Sequence, residues 1–130
     1  MKKLIAGLFL GQMLISQAFA GTYVCLAQED SEYKDAAIVF NVENSALIQT
    51  SKEDVVEDGL EEALVDALEA TNVEVMTARC PHCYTVTGTI MGAYVLELNI
   101  RGTTGNFSIK YENEDSSNSP SGDLDCSFIK

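Results

Sequence analysis

Tryptophan is absent from the 130-residue chain, histidine occurs once and proline twice. With one histidine, a Ser-His-Asp relay would have to run through His82, and neither a G-x-S-x-G nor an H-E-x-x-H motif occurs. Basic residues are scarce too: 8 Lys and Arg stand against 20 Asp and Glu. That balance excludes the basic footprint a nucleic-acid binder needs and opposes docking on an anionic membrane surface. No apolar run is long enough for a comfortable bilayer span. Hydrophobic residues nevertheless make up 46% of the chain, enough to build a packed core and to oppose wholesale disorder.

The first 20 residues read MKKLIAGLFLGQMLISQAFA: two lysines, an apolar stretch interrupted by Gln12 and Gln17, then Ala18-Phe19-Ala20. Charged, apolar and A-x-A regions in that order form a secretory signal peptide. Residues 1–20 are therefore expected to be removed and 21–130 to form a single domain. Cys25 follows Tyr23-Val24, which is too bulky a context for lipid attachment. The expectation is a periplasmic or secreted bacterial protein, with no membrane insertion after cleavage and with the Asn106-Phe107-Ser108 sequon serving as ordinary strand sequence. Without Lys2 and Lys3, 6 basic residues face 20 acidic ones, a net charge of −14.

Most of the remainder alternates with a period of two. Strands are expected over residues 23–27, with Tyr23, Cys25 and Ala27 on one face, and over 37–42, 73–79, 84–91, 93–101, 106–112 and 124–129. Tyr94, Leu96, Leu98 and Ile100 should face inward, as should Phe107, Ile109 and Tyr111, and Leu124, Cys126 and Phe128. Residues 46–49 fit either another strand or a lead into the helix. Gly102 and Gly105 bound an expected hairpin loop in which both take positive φ. Residues 114–123 read as a polar loop. One helix is expected over 52–71, started by Ser51 and Asp54 in a capping-box-like arrangement and stopped at Asn72. Val56, Leu60, Ala63, Leu64, Ala67 and Leu68 form its apolar stripe, and Gly59 weakens its interior. The fold class is thus α+β: an antiparallel, curved sheet or partly closed barrel of about seven strands, with one amphipathic helix over a face.

Cys25, Cys80, Cys83 and Cys126 form an even set in an exported chain, which implies a disulfide framework. The favoured pairing of the three possible is Cys25–Cys126, closing nearly the whole domain, with Cys80–Cys83. Cys80-Pro81-His82-Cys83 resembles the active-site motif of bacterial periplasmic thiol oxidases of the thioredoxin superfamily. That resemblance covers four residues. It implies an acidic thiol at Cys80, with Arg79 and His82 as positive influences, and thiol–disulfide exchange with Cys83. The residues that follow, Tyr84-Thr85-Val86-Thr87-Gly88-Thr89-Ile90, are strand-forming. They favour a structural bridge across a type I β-turn with Pro81 at its first central position. A soft metal site from His82 and the thiolates is the weaker reading, because no second Cys or His pair completes it.

The other helix face carries Glu53, Asp54, Glu57, Asp58, Glu61, Glu62, Asp66 and Glu69. It is either a solvated face or a docking surface for a cationic partner. No D-x-[DN]-x-[DN]-G calcium loop is present, and Thr85, Thr87 and Thr89 read as a solvent-facing strand row. The leading expectation is a non-enzymatic binding or inhibitor-type module for a basic protein or cationic peptide, without a cofactor or metal. Glu57, Asp58, Glu61, Glu62, Asp66 and Glu69 are its candidate contacts. Two alternatives remain: a thiol–disulfide oxidoreductase using Cys80 and Cys83 with His82, and a structural envelope component.

Overall fold

Alternating apolar residues bounded by short turns leave the chain one economical way to bury its inner faces, a meander of antiparallel strands curling on itself. The computed structural model describes residues 20–30, 33–77, 79–111 and 120–130. The strands are β1 (Thr22–Ala27), β2 (Ala36–Asn41), β3 (Ala46–Ser51), β4 (Leu68–Glu69), β5 (Thr71–Thr77), β6 (Cys83–Ile90), β7 (Tyr94–Arg101), β8 (Thr104–Tyr111) and β9 (Ser121–Ile129). Between β3 and β4 lie two short helices, α1 (Lys52–Asp58) and α2 (Leu60–Ala63). Most of the segment expected to be a signal sequence, residues 1–20, and most of the expected 114–123 loop fall outside the described residues. No described helix is long and apolar enough to cross a membrane.

All nine strands belong to one antiparallel sheet, ordered β4-β3-β2-β1-β9-β8-β7-β6-β5. The two outermost strands, β4 and β5, are consecutive in the chain. One pairs with β3 and the other with β6, so the sheet curls into a nearly closed barrel. Ala70, between them, donates its N–H to Leu47 O at 2.8 Å. At this closure β6 must come close, and Gly88 permits it: a Cβ there would sit 2.6 Å from Ala70 Cβ.

The interior is filled by side chains, as a wall of about eight strand positions allows. Tyr23, Cys25, Ile38, Phe40, Leu47, Val86, Ile90, Leu96, Leu98, Ile100, Phe107 and Leu124 are buried in one cluster. The expected inward rows on β1 and β7 account for much of it. Two expected inward residues lie at the rims instead. Tyr111 is exposed and packs at a tilt against Tyr94, and Phe128 is exposed and packs on Tyr23. On the outer wall, Ala37 and Val39 are buried on the side where α1 meets β2 and β3. There Thr50 Oγ1 donates to Ala63 O at 3.0 Å.

The single helix expected over 52–71 is not formed. Gly59, at φ 90° and ψ 160°, ends α1 and begins α2. A glycine makes that break at little steric cost. Val56 is consequently 64% exposed rather than part of a buried stripe, while Ala63 is buried. Leu68, placed in the same stripe, opens β4. Asn72 is not a helix stop; it takes φ 53° at the register shift in β5. The count of nine strands exceeds the expected seven because 46–51 is a full strand and Leu68–Glu69 adds a short one. The capping geometry does form: Ser51 Oγ accepts from Asp54 N at 3.4 Å. The β7–β8 turn is tighter than expected, since Arg101 pairs directly with Thr104. Gly102 takes φ 67°, but Gly105 is a strand residue; a Cβ there would lie 2.6 Å from Asn99 O.

Candidate functional site

Two surface regions gather the residues singled out in the sequence. The first is the acidic segment joining β3 to β5. Glu57 and Asp58 lie on α1 and Glu61 and Glu62 on α2, but Asp66 lies in the following turn and Glu69 in β4. All six are exposed, as are Glu53 and Asp54. None of these eight side chains has an ion-pair partner among the described residues. Val65, 71% exposed, lies within the same stretch, so apolar surface is interleaved with the carboxylates.

The segment is fastened at its start. Asp35 receives Glu53 N on Oδ1 at 3.1 Å and the Ser51 hydroxyl on Oδ2 at 3.0 Å, while its carbonyl accepts from Lys52 N at 2.7 Å. Lys52 Nζ turns away from the acids to donate to Ala27 O at 2.8 Å and to pair with Glu29 at 3.4 Å. Its charge therefore does not neutralise the segment directly.

The second region is the Cys80–Cys83 corner between β5 and β6. All four cysteines are bridged, Cys25 to Cys126 and Cys80 to Cys83. Cys25 and Cys126 sit directly opposite each other on β1 and β9 and are buried. Across the corner the Cα atoms of Cys80 and Cys83 are 5.5 Å apart, the span of a tight turn. The turn is not type I. His82 takes φ 61°, and a positive φ at the third residue of the turn, directly after Pro81, is the type II signature. Cys83 opens strand β6, so no helix amino terminus faces Cys80. The principal acidifying element of the thiol-oxidase resemblance is thus missing. Arg79 is exposed and makes no described contact.

A partner for His82 went unseen in the sequence. Tyr23, 1% exposed at the start of β1, places its hydroxyl oxygen 2.7 Å from His82 Nδ1. Burial pushes the Tyr23 phenol above its ordinary 10.0, and neighbouring Tyr84 raises it further. The phenol therefore keeps its proton at neutral pH, and it shares with His82 Nδ1 a hydrogen bond whose donor is set by the imidazole tautomer. Phe128 packs against both rings, at 4.6 Å from Tyr23 and 5.7 Å from His82. The carbonyl of His82 accepts from Gly102 N at 2.9 Å, joining the corner to the β7–β8 turn.

A surface depression of about 480 Å³ is lined by Asp30, Asn106, Phe107, Ser108, Ser121, Gly122 and Asp123. It holds none of the residues expected to act. Comparison of the chain with protein-family models, curated proteins and solved structures found no match.

Proposed function

We propose that the protein is a small binding module, exported to the bacterial periplasm or beyond, that docks a basic protein or cationic peptide through its acidic segment. Inhibition follows wherever that docking covers the partner's working surface. The reading is carried by eight exposed carboxylates, without an ion-pair partner among the described residues, on a segment fastened to the barrel. Unpaired surface charge of one sign speeds encounter with an opposite partner and selects against like-charged ones. The net charge of −14 that removal of residues 1–20 would leave acts in the same direction. The interior holds side chains rather than open space, which leaves recognition to the outer surface. The Cys80–Cys83 bridge fits this role as a shape constraint on the corner.

Titration against a panel of cationic proteins at low and high salt tests the reading. Micromolar or tighter binding is expected at about 20 mM salt, weakening at least tenfold by about 300 mM, because screening lengths fall to several ångströms over that range. The quadruple change Glu57→Gln, Asp58→Asn, Glu61→Gln and Glu62→Gln should weaken low-salt binding by a similar factor. Absence of binding at low salt, or binding indifferent to those changes, overturns it.

A further inference from the structure

We propose that residues 73–77 of β5 form an open strand edge that receives an extended cationic segment as an added antiparallel strand. The inference rests on the acidic-module reading above and names how the partner is held. Continuing the β3–β4 register, Ile48 with Glu69 and Gln49 with Leu68, brings Leu47 to Ala70 and Ala46 to Thr71. There β3 begins, so the rest of β5 overhangs it. Beyond the Ala70 N–Leu47 O bond, no described backbone hydrogen bond reaches β5 from that side; among the described residues its one strand partner is β6. In an antiparallel strand alternate residues turn both N–H and C=O to the same edge, so the overhang offers a ready ladder.

Its side chains fit one kind of strand. Val73 and Val75 are half-buried against the core, whereas Glu74 and Met76 point outward, Met76 being 67% exposed. Glu69 and Glu74 are the charges on β4 and β5, and Glu43 lies in the turn before β3. An incoming strand would set small apolar residues beside Val73 and Val75 and long basic ones beside Glu74 and Met76. The aliphatic stem of a lysine can cover a methionine while its ammonium reaches a carboxylate. A second copy of this chain is the poorer occupant, since each copy carries −14 after cleavage. Glu74 on this edge opposes pairing with a like-charged copy.

The test uses the oxidised, processed protein and three heptapeptides, acetylated and amidated: one alternating Lys and Val, one alternating Glu and Val, and the Lys-Val peptide with alternate amides N-methylated. The Lys-Val peptide should bind at least tenfold more tightly than either control and slow amide exchange at residues 73–77. Glu74→Lys should reverse the preference between the Lys and Glu peptides. Equal binding by the N-methylated peptide, unchanged exchange at 73–77, or a β5-mediated dimer overturns the inference. Cationic proteins that still bind through the 53–69 segment in that event leave the module reading standing. If they do not bind either, both fall.

Discussion

The Tyr23 hydroxyl and His82 Nδ1 meet at 2.7 Å although 59 residues separate them. One belongs to the first strand, among the most deeply buried side chains; the other is an exposed residue of a bridged turn. The contact links the corner to the core. Left-handed backbone costs a non-glycine residue about 1–2 kcal/mol, and the hydrogen bond returns about 0.5–1.5 kcal/mol. Urea unfolding should therefore separate two substitutions. His82→Ala loses the bond and keeps the backbone cost, destabilising by about 1 kcal/mol. His82→Gly loses the bond but relieves the backbone, leaving stability nearly unchanged. Equal losses in the two variants would contradict this balance.

Because this histidine is the only one, its ring nitrogen resonances report the corner without ambiguity. They should show a bias toward one ring tautomer, held by the Tyr23 contact. In Tyr23→Phe, or with Cys80 and Cys83 both changed to Ser, the ring should lose that bias toward one tautomer. Retention of the full bias in both variants would mean that neither the hydroxyl nor the bridge positions the ring.

Alkaline pH should destabilise the fold. Burial and then Tyr84 raise the Tyr23 phenol above 10.0. Burial, then Tyr111, raise Tyr94, with the Gln49 hydrogen bond opposing them. In the unfolded chain both phenols lose their protons near their ordinary value, while the folded chain holds them longer. Their contribution to stability is fully present below about pH 10 and is lost as pH rises through the folded values. Urea midpoints measured from pH 8 to 11.5, beside absorbance titration near 295 nm, should fall over that window. A flat profile would contradict the assignment.

The two bridges should differ in what they contribute. Cys25–Cys126 spans a sequence separation of 101 and Cys80–Cys83 a separation of 3. On the chain-entropy relation a loop near 100 residues contributes about 4.7 kcal/mol, and one of four residues about 2 kcal/mol. Changing both Cys25 and Cys126 to Ala should lower Tm by roughly 15–25 °C, at several degrees per kcal/mol for a domain of this size. Changing Cys80 and Cys83 should lower it by less than half as much. Calorimetry checks the ranking.

Gly88→Ala should injure the seam. The new methyl would meet Ala70 Cβ at 2.6 Å and Leu47 Cδ2 at 3.2 Å, and overpacking of that kind costs about 1–3 kcal/mol. Adding Ala70→Gly should recover part of the loss, because it removes the nearer atom. A double variant no more stable than the single one would place the strain elsewhere.

Much of the sheet was legible because alternation writes burial directly into sequence. Tyr94, Leu96, Leu98 and Ile100 on β7 are the clearest case. The 52–71 segment was misread because its apolar residues also fit a helical period, and propensity alone does not weigh a break at Gly59 against barrel closure. Leu68 and Glu69 become strand through pairing with Gln49 and Ile48, a long-range choice invisible to a local window. At the candidate site the acidic residues were visible by type, but the Asp35 anchor and the Tyr23–His82 contact depend on which strands lie side by side.

The first strand and the last are joined by a covalent link three residues in from Thr22 and three from Ile129. A pull applied at residues 21 and 130 would be taken up by Cys25–Cys126 after only a few residues had straightened. The roughly one hundred residues between would bear no tension while that link is intact. The barrel is thus mechanically isolated from whatever is attached at either end, and single-molecule stretching should lengthen it by the full loop only after a reductant cuts the tether.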